Sequence, residues 1–183
     1  MTILHIDSSI SGENSASRAV SRSIVDRLRA QTPEAEIVVR DLVSDPLPHL
    51  TFDAFADGTI LDEFLGADTV VVGAPMYNFT LPTQLKAWID RLLIAGKTFR
   101  YTENGPEGLA GGRRVIVALT RGGMYGEGSP AAGLEFVERY LRAAFNFIGI
   151  EPEFVLAEGL AISPEQRERS ISQALGETLR LAA

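Results

Sequence analysis

The sequence predicts an α/β fold of the doubly wound type, in which a five-stranded parallel sheet is covered by helices on both faces in three layers. Short apolar runs alternate with segments of helical periodicity along the 183 residues, a pattern typical of parallel strands joined by helical crossovers. The run Thr69–Ala74 is a continuous apolar stretch, as expected of a central strand buried on both faces. The length suits one domain over residues 1–183, and no linker, repeat or low-complexity segment divides it.

The first half of the chain opens with a predicted strand over Thr2–Asp7, which is apolar and closed by an acidic residue. The Ser-, Gly- and Asn-rich segment Ser8–Asn14 predicts a loop. Apolar residues at helical spacing then predict a helix over Ser15–Ala30, with Ser15 or Ser17 as its N-cap. The elements expected next are a strand over Glu36–Arg40, a surface excursion over Pro46–Gly58, a short helix over Thr59–Leu65 and the buried strand Thr69–Ala74.

The second half of the chain continues the alternation. Leu81–Ala95 is predicted as a helix whose apolar stripe includes Trp88. This stripe is large for a monomer, so we expect a helix of a partner to cover it. The remaining predicted elements are a strand over Arg113–Leu119, a long helix over Ala131–Ile148, a strand over Pro152–Leu156 and a closing helix over Pro164–Leu181.

Composition and charge exclude several functions. The net charge of −7 and the pI near 4.9 argue against binding to nucleic acid or to an anionic membrane surface. The absence of cysteine excludes disulfides, thiolate zinc sites, iron–sulfur clusters and cysteine nucleophiles, and no metal site is expected. The chain starts without a basic, apolar secretory signal, and its longest strongly apolar run, Val70–Met76, is far shorter than the roughly 20 residues that span a bilayer. We therefore expect a cytoplasmic protein.

Ligands of open parallel sheets bind beyond the carboxyl ends of the strands, so the loops that follow the strands are informative. The first loop offers hydroxyl groups and the unsatisfied N–H groups of a helix start, which together suit a phosphate monoester. It contains no G-x-G-x-x-G and no G-x-x-x-x-G-K-[ST], which disfavours pyrophosphate-binding sites. No Lys or Arg precedes the helix, although Arg18 lies just inside it. The alternative is that the serines only cap the helix and shape turns. The serines concerned are Ser8, Ser9, Ser11, Ser15 and Ser17.

Two further loops are expected at the same edge of the sheet. Pro75–Thr80 carries aromatic rings, a thioether and an amide, a combination that can hold a flat heteroaromatic ring, although the same side chains could simply plug the core. Thr120–Gly126 contains three glycines, which permit close approach of backbone to a ligand or merely a flexible connection. A phosphate site beside two ring-binding loops suits a mononucleotide such as FMN.

Longer strings of the sequence resemble the FMN-dependent NADH-azoreductase family. They are APMYNFTLPTQLKAWID over 74–90, TFRYTENGPEGL over 98–109, TRGG over 120–123 and AEG over 157–159. The serine pattern Ser9, Ser15 and Ser17 matches as well, and the resemblance runs through nearly the whole chain in one order. It implies a flavodoxin-like fold of strand order 2-1-3-4-5 and one flavodoxin-like FMN-binding domain over residues 1–183.

The resemblance also assigns residues to the cofactor. It implies that Ser9, Ser15, Ala16 and Ser17 bind the phosphate of FMN. It places Met76, Tyr77, Asn78 and Phe79 at the edge of the isoalloxazine ring, and Thr120, Arg121, Gly122 and Gly123 at its far side. The backbone N–H groups of the two glycines are candidates for stabilising the anionic reduced flavin. Family members form homodimers in which aromatic residues of the second subunit reach the pocket, and Tyr101 lies in the matching string.

The activity implied by the resemblance is reduction of quinones and azo compounds with NADH or NADPH. Hydride passes through the bound flavin in a two-step, ping-pong reaction, so no side chain is expected to act as a catalytic acid or base. His5 lies on the first strand, where packing is the expected role. Many family members carry a longer segment between the second and third strands than 46–68 of this chain, which leaves substrate range and nucleotide choice open.

Two other functions compete with this one. A flavodoxin-type electron carrier would suit an acidic chain, and it would bind FMN without oxidising NADH. A phospho-receiver domain shares the fold, but it needs an acceptor Asp at the end of the third strand, where this chain has Ala74 and Pro75.

Overall fold

The computed structural model describes residues 1–181, and a parallel sheet forms its centre. The strands are β1 (Thr2–Asp7), β2 (Glu36–Asp41), β3 (Thr69–Pro75), β4 (Phe99–Thr102), β5 (Gly105–Gly108), β6 (Arg114–Thr120) and β7 (Glu153–Ala157). Five of them form the sheet in the order β2-β1-β3-β6-β7, and every neighbouring pair is parallel. Strands β4 and β5 form a separate two-stranded sheet, so β6 and β7 are the fourth and fifth strands of the central sheet. The predicted order 2-1-3-4-5 is therefore confirmed.

Helices follow the sheet strands as predicted. They are α1 (Ala16–Gln31), α2 (Phe52–Ala56), α3 (Thr59–Gly66), α4 (Thr83–Asp90), α5 (Val137–Phe147) and α6 (Pro164–Thr178). Ser15 is the N-cap of α1, because its hydroxyl accepts the N–H of Arg18, and Ser163 caps α6 in the same way. None of the helices in residues 1–181 combines the length and apolar character needed to cross a bilayer.

The sheet separates two apolar cores, so the three-layer arrangement is confirmed. Alternate side chains of one strand enter opposite cores, as strand geometry requires: Ile3 packs with α1, whereas Leu4 packs on the other face. Helices α1 and α6 run parallel on the first face, since Asn14 lies beside Arg167 at one end and Ser23 beside Thr178 at the other. Their N-termini therefore lie at the same edge of the sheet.

The prediction that a helix of a partner covers the Trp88 stripe is wrong. Leu85, Trp88 and Leu92 are fully buried within the chain itself, and the ring of Phe64 from α3 meets Trp88 edge-on with 6.0 Å between centroids. Helix α4 is also shorter than the predicted 81–95. Proline lacks an N–H and fixes φ, so α4 begins only after Pro82, and it ends in the tight turn that follows Asp90.

Helix α5 begins six residues later than the predicted Ala131, because Glu135 supplies a cap. Its carboxylate accepts the N–H groups of Val137, Glu138 and Arg139. A 3₁₀ turn over Ala132–Leu134 precedes it.

The antiparallel hairpin β4–β5 was not predicted, because its strands have four residues each and are largely polar. The hairpin base approaches the rest of the chain very closely, and a Cβ at Gly108 would lie 2.1 Å from the backbone N of Gly149. Only glycine fits at position 108. Tyr101 on the hairpin is 75% exposed.

Candidate functional site

A cavity of about 200 Å³ lies where β1, β3, β6 and β7 end, the edge at which open parallel sheets bind ligands. Four loops contribute to it: those after β1, β3 and β6, as predicted, and the one after β7. Its lining consists of Ser9, Ser11, Asn14, Ser15, Ala16, Pro75, Met76, Tyr77, Thr120, Arg121, Gly122, Leu160, Ala161 and Arg167.

The start of α1 forms the polar end of the cavity. The hydroxyl of Ser15 accepts the N–H of Arg18 at 3.2 Å and lies 3.1 Å from the hydroxyl of Ser17. The next two N–H groups, those of Ala16 and Ser17, have no acceptor within residues 1–181. Free N–H groups at a helix N-terminus, where the helix dipole is positive, are suited to an anion such as phosphate.

A buried polar network holds this loop from below. Arg18 donates to Asp41 at 2.8 Å, to the carbonyl of Ser9 at 3.1 Å and to Asp7 at 3.3 Å. Its positive charge is thus neutralised by two carboxylates. On the other side of Asp7, the hydroxyl of Ser21 donates to the carboxylate at 2.9 Å and His5 lies 3.4 Å away. His5 is buried on β1 within this network, as its expected packing role requires.

The pKa of Asp7 reflects two opposing causes. Burial alone raises it, but His5, Ser21 and Arg18 together outweigh burial and hold the pKa below its ordinary value. A carboxyl group whose pKa is lower in the folded than in the unfolded chain stabilises the fold above its unfolded pKa, and that contribution is lost as the pH falls through the folded pKa.

We expect Asp7→Asn to lower the free energy of unfolding by about 2 kcal/mol at pH 7, because the buried network loses its negative charge and an NH2 donor replaces one of the two oxygens that accept from Arg18 and Ser21. The difference from the wild type should shrink as the pH falls below the unfolded-state pKa of the carboxyl group and approaches its lower folded-state pKa. Urea unfolding between pH 3 and pH 7 measures both effects. A difference that stays constant over this range would contradict the assigned role of Asp7.

The loop after β3 places a tyrosine and a methionine at the cavity. The phenol of Tyr77 lies 3.1 Å from the hydroxyl of Ser9 and accepts the N–H of Ile10 at 3.2 Å, so it joins this loop to the α1 loop. The next two residues, Asn78 and Phe79, have φ angles of 47° and 73°. Such left-handed geometry costs non-glycine residues about 1–2 kcal/mol each and is concentrated at ligand sites.

The loop after β6 is fixed through its carbonyls. The N–H groups of Gly159, Leu160 and Ala161 donate to the carbonyls of residues 123, 121 and 122, respectively. The N–H groups of Gly122 and Gly123 have no acceptor within residues 1–181. They are therefore available to a ligand, as the sequence predicted for this pair.

The Arg121 side chain is held in a buried cluster of ion pairs. Only 2% of it is exposed, and its guanidinium contacts Glu138 at 2.7 Å, Glu135 at 3.2 Å and Glu158 at 3.4 Å. Glu158 in turn accepts the N–H of Tyr125 at 3.1 Å. This cluster, Arg121 with its three glutamates, ties the β6 loop to α5 and to the end of β7, and it leaves the backbone of Arg121 to face the cavity.

A larger cavity of about 370 Å³ lies on the other side of Arg121. Its lining carries three carboxylates and three guanidinium groups, whose charges balance, and it contains no residue from the start of α1, where N–H groups are free. Among residues 1–181, no group of three His, Asp or Glu side chains is arranged to hold a metal ion. The smaller cavity at the strand ends is therefore the candidate cofactor site.

The structure brings most of the predicted cofactor residues to one place. The eight that line the cavity are Ser9, Ser15, Ala16, Met76, Tyr77, Thr120, Arg121 and Gly122. Four others lie outside the lining. Ser17 is buried beneath Ser15, Asn78 and Phe79 are exposed in the turn beyond Tyr77, and Gly123 packs near Tyr125.

Sequence reasoning missed the contribution of the segment after β7. Leu160 and Ala161 line the cavity, and so does Arg167 from the first turn of α6. The signal was available, because a fifth parallel strand also ends at this edge of the sheet. Only the loops after the first, third and fourth predicted strands were considered for ligand binding.

The residues present fit FMN. Serine hydroxyls and two free N–H groups at one end suit a phosphate, and Met76, Tyr77 and the free N–H of Gly122 at the other end offer apolar contact and a ring-edge donor. The volume of about 200 Å³ lies below the roughly 300–1,000 Å³ of typical cofactor pockets.

Comparisons with known proteins agree with this geometry. A family model described as the flavodoxin-like fold matches residues 1–181. A Bradyrhizobium diazoefficiens protein named FMN-dependent NADH:quinone oxidoreductase 2 is 52% identical over 201 aligned positions that cover both chains completely. A Rhizobium meliloti protein named FMN-dependent NADH:quinone oxidoreductase is 53% identical over 207 positions, again with complete coverage of both. Both alignments are longer than the 183 residues of this chain, so the relatives carry additional residues. That these residues lie in the segment matching 46–68 stays a prediction.

Solved structures agree as well. An azoreductase from Bacillus anthracis superposes with a TM-score of 0.90 at 29% identity, covering 98% of this chain and 97% of the other. An FMN-dependent NADH-azoreductase from the same species, in complex with FMN, gives a TM-score of 0.86 at 26% identity with full coverage of both chains. The chain therefore belongs to the flavodoxin-like family whose members include the FMN-dependent NADH:quinone oxidoreductases and the FMN-dependent NADH-azoreductases.

Proposed function

We propose that this protein is an FMN-dependent NADH:quinone oxidoreductase that also reduces azo compounds, and that residues 1–183 form one FMN-binding domain. The observation that carries the proposal is the cavity at the strand ends, where a helix N-terminus with free N–H groups lies opposite a methionine–tyrosine loop and a diglycine loop. The names of relatives about 50% identical over the full length support it. We also propose NADPH as an alternative electron donor. We further propose a cytoplasmic location, where both nucleotides are available.

The residues of the cavity divide the work of holding the cofactor. Ser9, Ser15 and the N–H groups of Ala16 and Ser17 would bind the phosphate, while Met76 and Tyr77 would contact the ring. When bound, FMN supplies the chemistry by accepting hydride from NADH and passing it to the second substrate. The free N–H of Gly122 in the lining, and that of Gly123 next to it, would donate to a ring edge that becomes more negative on reduction. No side chain of the cavity is required as an acid or a base.

Reconstitution and turnover test this function. The purified protein should bind FMN, and the loaded protein should oxidise NADH beyond the one equivalent that reduces the bound flavin when a benzoquinone or an azo compound is added. FMN binding without turnover on any acceptor would favour the electron-carrier alternative, in which a stable one-electron form of the flavin is expected. A protein that fails to bind FMN would contradict both functions. A panel of acceptors with NADH and NADPH in turn would define the substrate range.

We also propose a homodimer in which the second copy completes the cavity. Two exposed apolar side chains lie together at the turn that follows Tyr77: Phe79 and Phe136 are 44% and 47% exposed, and the N–H of Phe136 donates to the carbonyl of Phe79 at 3.2 Å. Exposed apolar side chains that cluster in this way mark an interface. Light scattering should give about twice the chain mass of 19.8 kDa. A fully active monomer would contradict a shared cavity.

A further inference from the structure

We propose that Arg167, on the first turn of α6, is the cation that binds the cofactor's phosphate and makes this protein select FMN over unphosphorylated riboflavin. This inference rests on the proposed function, because it concerns the same cavity. It assigns a binding role to a residue that lies outside every motif discussed above, more than 140 positions away from the serine loop.

The position of Arg167 is the first argument. Its side chain lines the cavity together with Ser15 and Ala16, and its Nη2 atom donates to the carbonyl of Asn14 at 3.0 Å. Asn14 immediately precedes the N-cap of α1. The guanidinium thus lies beside the helix start whose N–H groups are free, and its other N–H groups remain available to an oxygen of a phosphate.

The charge balance of the cavity is the second argument. Two other arginines lie near the same helix start and the same cavity, but both are neutralised: Arg18 pairs with Asp7 and Asp41, and Arg121 contacts three glutamates. Arg167 has no carboxylate oxygen within 4.0 Å among residues 1–181. It is therefore the guanidinium at this site whose charge remains for an incoming anion.

The location within α6 is the third argument. A positive side chain in the first turn of a helix opposes the helix dipole. Since α1 and α6 run parallel, two positive helix ends and one guanidinium converge at this edge of the sheet. Glu165 in the first turn of α6 offsets part of this positive potential, and a dianionic phosphate would complement the rest.

The test compares FMN with riboflavin, which differ only in the phosphate. Dissociation constants are measured by quenching of flavin fluorescence for the wild type, Arg167→Ala and Arg167→Lys. We expect Arg167→Ala to weaken FMN binding about tenfold or more and to change riboflavin binding less than about twofold, because one charge-assisted bond to phosphate is lost. Arg167→Lys should recover part of the loss, since it keeps the charge but not the planar fork.

Arg169→Ala is the matched control, because Arg169 is an exposed arginine on the same helix that does not line the cavity. It should leave both dissociation constants unchanged. The proposal is overturned if the wild type prefers FMN and Arg167→Ala keeps that preference, or if Arg167→Ala weakens FMN and riboflavin equally. A wild type that binds neither flavin would instead refute the proposed function, so the two failures are distinguishable.

Discussion

Replacing Ser15 by aspartate is expected to abolish cofactor binding while leaving the fold intact. Aspartate caps helices as well as serine does, so α1 should keep its N-cap bond to the N–H of Arg18. The new carboxylate would lie at the phosphate site, and two like charges about 4–5 Å apart repel by roughly 3–4 kcal/mol at an effective dielectric constant near 20. The dissociation constant for FMN should rise about 100-fold or more, as measured by fluorescence quenching.

Thr51→Asp is the control for this substitution. Thr51 caps α2 through the N–H of Ala54 and does not line the cavity, so the same change of charge at another helix start should leave FMN binding within about twofold. Equal loss of binding in both variants would show a general effect of net charge. If Ser15→Asp still binds FMN as the wild type does, the phosphate does not bind at the start of α1.

Replacing Arg121 by methionine is expected to produce the largest loss of stability. The guanidinium is buried among Glu135, Glu138 and Glu158, and its removal leaves Glu135 and Glu158 without a paired cation, while Glu138 keeps Arg142. Breaking a buried pair in this way costs about 3–5 kcal/mol, a large part of the roughly 5–15 kcal/mol that stabilises a domain. Urea unfolding followed by far-UV circular dichroism measures the change.

Two further variants identify the cause. Adding Glu158→Gln to Arg121→Met should restore part of the lost stability, because Arg121 is the one cation that pairs with Glu158 within residues 1–181. Arg100→Met breaks the pair with Glu107 on the exposed hairpin and should leave the unfolding transition unchanged. A small effect of Arg121→Met, similar to that of Arg100→Met, would mean that the cluster does not hold the β6 loop.

The fold could be predicted because the five sheet strands are continuous apolar runs separated by helical periodicity. The hairpin β4–β5 could not, since its short polar strands carry no such signal and its place is set by contact between Gly108 and Gly149. The start of α5 was predicted too early because its cap, Glu135, is held by Arg121 from a distant strand. The partner helix expected over Trp88 was wrong because an element of the same chain, α3, covers that face.

The site was predictable to the extent that it follows from strand direction. Parallel strands bring their carboxyl ends to one edge, so the serine loop, the Met76–Tyr77 loop and the Thr120–Gly122 loop had to lie together. Arg167 was not predictable from spacing, because its contact with Asn14 joins residues 153 positions apart. The role of the Arg121 side chain was also beyond local sequence, since its partners come from α5 and from the end of β7.

The most direct test of the account is a crystal structure of the protein grown with FMN. The account predicts the phosphate at the start of α1, in contact with Ser15 and Arg167, and the ring between Tyr77 and the Gly122 loop. FMN bound at any other place, or these loops closed on one another with the flavin excluded, would contradict it.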